Sequence, residues 1–121
     1  MLAEDLRIYK DTYNLCKQLT VYQQRVCKTI RYCEYGKAVS LAFDAMDEIY
    51  QINRDIVGRA ERLGRYLGYI GGVRSRVRLF GELDLLTTKQ ATALMVLIDR
   101  VAKQATGWRN ATTTQARAVT G

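Results

Sequence analysis

An all-α fold, an antiparallel four-helix bundle, is what this sequence predicts, and three observations carry the prediction. Proline, the residue that most strongly interrupts helices, is absent from all 121 residues. Apolar residues return at intervals of three and four along four separate stretches, while alternating apolar–polar runs typical of strands are few. The stretches are joined by short connectors, which favour antiparallel neighbours.

A chain of this length has room for one domain, and a domain of this size hides roughly two-thirds of its unfolded surface without a disulfide or metal. We assign residues 1–110 to the bundle and 111–121 to a flexible C-terminal tail. The first helix is expected over residues 3–25. Leu6, Tyr9, Tyr13, Cys16, Leu19 and Val21 form its apolar stripe, and Glu4 and Asp5 suit its first turn. Residues 26–36 lose the rhythm and read as a connector that Tyr32 and Tyr35 pack against the bundle. The second helix is expected over 37–53, with Leu41, Ala42, Ala45, Ile49 and Ile52 inward and Asp44, Asp47 and Glu48 on or near the opposite side.

The third helix is expected over 55–80, facing the core with Leu63, Leu67, Ile70 and Val77; residues 81–86 then turn the chain. Thr87 or Thr88 caps a fourth helix that ends at about residue 107 or 108, with Leu94, Leu97, Ile98, Val101, Ala105 and Trp108 inward. Trp108 reads as a cover for the bundle end, ahead of the alternative of direct base stacking. Arg109 beside it suits either a phosphate or the last helix carbonyls.

The formal net charge is +7, and its densest source is the third stretch. There Arg54, Arg59, Arg62, Arg65, Arg74, Arg76 and Arg78 face only Asp55 and Glu61. Arginine offers a planar five-donor fork suited to phosphate and carboxylate. On a helical wheel Arg54, Arg62, Arg65 and Arg76 gather on one side, and Arg54, Arg65 and Arg76 align as a column at three-turn spacing. Such a column tracks a phosphate backbone or pairs with an acidic groove on a protein; alternatively it is a solvated face. By itself it reads no bases. All seven arginines are candidate nucleic-acid contacts.

Gly64, Gly68 and Gly71 form a second stripe beside Gly58 and Gly72. Each glycine costs a helix interior about 0.5–1 kcal/mol relative to alanine. Two compensations fit, close approach of another helix or a break at Gly71-Gly72, and a continuous, closely packed helix is the reading taken.

No catalytic constellation is legible. Histidine is absent, so the default general base and the Glu-x-x-His pairs of di-iron bundles are unavailable. Cys16, Cys27 and Cys33 match no zinc spacing and read as buried apolar groups in a reducing compartment. No cofactor, metal or membrane span is expected. The predicted location is the cytoplasm, or the nucleoid of a bacterium.

Several segments together resemble a known family. They are IYKDTY at residues 8–13, the run from Tyr50 to Arg54, Val77-Arg78-Leu79, and TGWRN at 106–110 following Leu97-Ile98 and Lys103-Gln104. Over about residues 6–110 the chain resembles the Avd (accessory variability determinant) proteins of diversity-generating retroelements. These sit in a wider four-helix-bundle group with proteins encoded in ribosomal-RNA intervening sequences. The resemblance implies an antiparallel bundle assembled as a homo-oligomer, commonly a pentameric ring with a basic surface. It also implies a non-catalytic accessory role: binding nucleic acid and the element's reverse transcriptase to support mutagenic copying of template RNA into cDNA. Under it the arginine column corresponds to the basic surface. The competing expectation is a protein-interaction scaffold whose arginine face docks an acidic partner.

Overall fold

The computed structural model describes residues 1–26 and 34–120, with 116–120 as backbone. Cys27, Tyr32, Cys33 and most of the expected connector lie outside the described residues. Among the described residues there are four α-helices and no strand: α1 (Arg7–Gln23), α2 (Glu34–Arg54), α3 (Arg59–Glu82) and α4 (Thr88–Thr120). Each helix packs against its chain neighbours, and α4 returns to pack against α1, closing the ring of contacts. Neighbours are antiparallel. The end of α1 meets the start of α2 where Tyr35 donates to the Leu19 carbonyl at 2.8 Å. Arg62 near the start of α3 meets Glu48 near the end of α2 at 3.3 Å, and Arg76 near the end of α3 meets Glu34 at the start of α2 at 3.9 Å. This is the predicted antiparallel four-helix bundle.

The core is built by alternating steps of three and four, the spacing that keeps one helix face on a neighbour. On α2 the buried residues are Tyr35, Ala38, Ala42, Ala45, Ile49 and Ile52; on α3 they are Leu63, Tyr66, Ile70, Val73, Val77 and Phe80. Small alanines at mid-α2 leave room for the larger side chains of the other helices. Leu94, Ile98, Val101 and Ala105 supply α4.

On α1 the inward residues are Ile8, Thr12, Leu15, Cys16 and Leu19. Tyr13 is 53% exposed and Val21 46%, so both expected core positions face outward. Cys16 and Leu19 are inward as expected, while Thr12 takes the place expected for Tyr13 because, though polar, it is satisfied. Its hydroxyl donates to the Ile8 carbonyl at 2.6 Å and lies 2.7 Å from the Tyr66 hydroxyl.

Several boundaries differ from expectation for local reasons. A 3₁₀ turn over Ala3–Asp5 precedes α1. Helix α2 starts three residues early because Tyr35 is buried, stacked on Phe80 at 5.3 Å between ring centres. Helix α3 starts late, at Arg59, because the Asp55 carboxylate accepts the Gly58 N–H at 2.9 Å and holds a turn there. It then runs unbroken through Gly71-Gly72 to Glu82.

Helix α3 ends in a Schellman arrangement: Asp84 is left-handed (φ 59°), its N–H meets the Gly81 carbonyl, and the Leu85 N–H meets that of Phe80. Thr87, of the two candidate caps, starts α4. Its hydroxyl accepts the Gln90 N–H at 3.1 Å while the Gln90 side chain accepts the Thr87 N–H at 3.0 Å, a capping box. Helix α4 continues past the expected end to Thr120, so the segment assigned as a tail is helical.

The glycines divide by what surrounds them. A Cβ on Gly72 would stand 2.8 Å from Leu41 Cδ1, so this is where α2 approaches α3 closely. Nothing lies within 4 Å of a Cβ on Gly68 or Gly71, and the expected close packing is therefore absent from those two positions. Gly68→Ala and Gly71→Ala are each expected to stabilise the fold by about 0.5–1 kcal/mol, read as higher urea midpoints. Gly72→Ala is expected to give back that gain, because Leu41 must move.

Candidate nucleic-acid interface

The seven arginines proposed from sequence do not make one free face. Arg54 is the last residue of α2, not part of α3, so the column of Arg54, Arg65 and Arg76 is broken at its first member. The cause is the Asp55–Gly58 turn, which separates the two helices.

The remaining six each hold a partner. Arg59 donates from Nε to the Ile52 carbonyl at 2.8 Å and from Nη2 to that of Asn53 at 3.0 Å. It also lies over the Trp108 ring, 5.2 Å from its centre. Arg62 bridges Asp55 at 2.9 Å and Glu48 at 3.3 Å. Arg65 approaches the same Glu48 at 3.8 Å and Glu61 at 3.9 Å. Arg76 donates to the Gly72 carbonyl at 3.1 Å and pairs with Glu34 at 3.9 Å. Thus Arg62, Arg65 and Arg76 line the α2–α3 seam, where α2 supplies the carboxylates. Arg74 faces the other way and pairs with Asp99 on α4. Arg78 reaches Glu82 one turn on, at 3.2 Å.

These pairs differ in weight. Arg78 is 77% exposed and its pair contributes little to folding. Asp55 is held more firmly: the Gly58 N–H, then Arg62, keep its carboxyl below the usual range, and Asp55 in turn raises the Arg62 guanidinium. Because the folded value lies below the unfolded one, the stabilisation from Asp55 is complete above the ordinary carboxylate range. It disappears as pH falls through the depressed value. Asp55→Asn is expected to lower stability at neutral pH and to shrink the further loss on acidification, measured by urea melts at both pH values. Equal acid sensitivity in the two proteins would contradict this.

The cations without a carboxylate partner among the described residues lie mostly elsewhere. Arg7, Lys10, Lys17 and Arg25 lie on or just after α1, and Lys89, Lys103 and Arg109 stand on α4; of the original seven Arg54 joins them, as does Arg59, which is held by carbonyls instead. Sequence density concealed this set, because its members come from helices far apart in the chain that meet only in the bundle. Arg100, beside them on α4, pairs with Asp11 at 3.9 Å.

No group of three or more potential metal ligands converges among the described residues, and none of their helices is long and apolar enough to cross a membrane. Cys16 is buried, and burial first, then Asp47, pushes its thiol up to about 12, so it is a poor nucleophile. No protein-family model matches the chain, and no curated protein shows significant similarity to it.

Proposed function

We propose that this chain is a non-catalytic nucleic-acid-binding accessory protein. In this reading, as its resemblance to the Avd proteins implies, it works with the reverse transcriptase of a diversity-generating retroelement. The observation that carries the reading is the surplus of positive charge that the bundle does not neutralise internally: a net +7, with Arg7, Lys10, Lys103 and Arg109 free of carboxylates among the described residues. Free cations on a rigid surface bind phosphate backbones through counterion release, and assembly of several copies multiplies the effect. In this role the protein holds template RNA or cDNA while the partner copies it.

The paired arginines of α3 weaken the alternative in which that face docks an acidic protein, since α2 already supplies its carboxylates. A scaffold reading draws instead on the exposed Tyr13, Val21 and Phe43 beside the α1–α2 seam.

The test is reconstitution with the reverse transcriptase of the same element. The two proteins are expected to co-purify with template RNA, and cDNA synthesis is expected to fall without this chain. A reverse transcriptase that neither binds the chain nor changes its output when the chain is added would reject the accessory role.

A further inference from the structure

Between the start of α1 and the later part of α4 runs a shallow, open groove of about 490 Å³. Leu6, Arg7, Lys103, Gln104, Gly107 and Trp108 line it. Four features of this groove remain unused by the fold. Arg7 and Lys103 are exposed and face no carboxylate among the described residues. The nearby carboxylate, Asp11, is occupied: Gln104 Nε2 donates to it at 2.8 Å and Arg100 stands 3.9 Å away.

The third feature is Gln104 Oε1, which is shut off from solvent and has no hydrogen-bond partner, a cost of order 1–3 kcal/mol for a buried acceptor. The fourth is Gly107. It sits inside a 33-residue helix, where glycine is unfavourable, yet no atom lies within 4 Å of where its Cβ would be. Packing does not require a glycine here, and any side chain would project into open space beside the groove. Trp108, the chain's one tryptophan, supplies an aromatic ring; Arg59 lies over that ring but does not line the groove.

Cations and an aromatic ring in one open groove are the chemistry that recognises a nucleotide unit of a single strand. Phosphate goes to the cations and the base to the ring. We propose that the α1–α4 groove seats one nucleotide of single-stranded nucleic acid, with Arg7 and Lys103 on the phosphate and Trp108 against the base. This rests on the nucleic-acid reading above and assigns it a place away from the arginines of α3. A double strand keeps its bases stacked and offers this groove only phosphate.

The test uses the full chain and fluorescently labelled oligothymidylate, with anisotropy reporting binding and Trp108 emission reporting the groove. Binding is expected to quench Trp108. The double variant Arg7→Gln/Lys103→Gln and the single variant Gly107→Leu are each expected to weaken binding by about tenfold or more, with melting temperature unchanged or raised. The double variant is also expected to flatten the salt dependence by about 0.7 in logarithmic slope for each phosphate no longer neutralised. Binding that leaves Trp108 emission unchanged, or variants that bind like the parent, would overturn the groove while leaving the nucleic-acid reading intact. No anisotropy change even at low salt would remove both.

Discussion

Replacing Tyr66 by alanine is expected to cost about 3–5 kcal/mol, enough to unfold much of the population of a domain this size. The ring is fully buried in the first half of α3, and its hydroxyl reaches diagonally across the bundle to α1. Proton accounting sets the direction of that bond. Thr12 has one hydroxyl proton and gives it to the Ile8 carbonyl at 2.6 Å, so Tyr66 donates to Thr12. Two milder substitutions follow from this asymmetry. Tyr66→Phe removes the donor and leaves Thr12 bonded to Ile8, at a cost of about 1 kcal/mol. Thr12→Val strands a buried tyrosine hydroxyl and is expected to cost more, about 2–3 kcal/mol. The double variant is expected to recover part of that loss, because no unpaired group remains. Strict additivity in urea denaturation would contradict the bond.

Removing the Arg59 side chain is expected to cost about 2–3 kcal/mol, far more than removing Arg78. The last carbonyls of a helix have no partners within it, and Arg59 caps two of them at the end of α2. Its guanidinium also rests over Trp108 and so ties α2, α3 and α4 together at one end of the bundle. Arg59→Lys is expected to rescue little, because an ammonium lacks the planar fork that serves both carbonyls. Arg78→Ala is expected to fall within about 0.5 kcal/mol, as its pair is solvent-exposed. Equal effects at the two positions, measured by thermal or urea melts, would show that Arg59 is not the clamp described.

Both residues mark where the sequence was readable and where it was not. Helices α2 and α4 were legible because their inward residues are plainly apolar, as in Ala42, Ala45, Ile49 and Ile52. On α1 Cys16 and Leu19 were legible, but Thr12 was passed over for Tyr13 because it is polar, and its suitability for the core depends on Tyr66, distant in the chain. The alternating three-and-four spacing through Tyr66, Val73 and Phe80 was present in the sequence and would have found them. The candidate site was less legible still. Arginine density between residues 54 and 78 is visible in one dimension, but its neutralisation by Glu34, Glu48, Asp55 and Asp99 depends on which helix faces which. The free pair Arg7 and Lys103 shows no clustering at all along the chain, because the antiparallel contact of α1 with α4 creates it.

The charge left free by the bundle is expected to bind nucleic acid. The most direct measurement is binding of the purified chain to single- and double-stranded RNA and DNA across a salt series, with light scattering on the same samples. Binding by an oligomer that weakens steeply as salt rises is expected, with a preference for single strands. An oligomer or monomer with no affinity for any of these nucleic acids at low salt would contradict it.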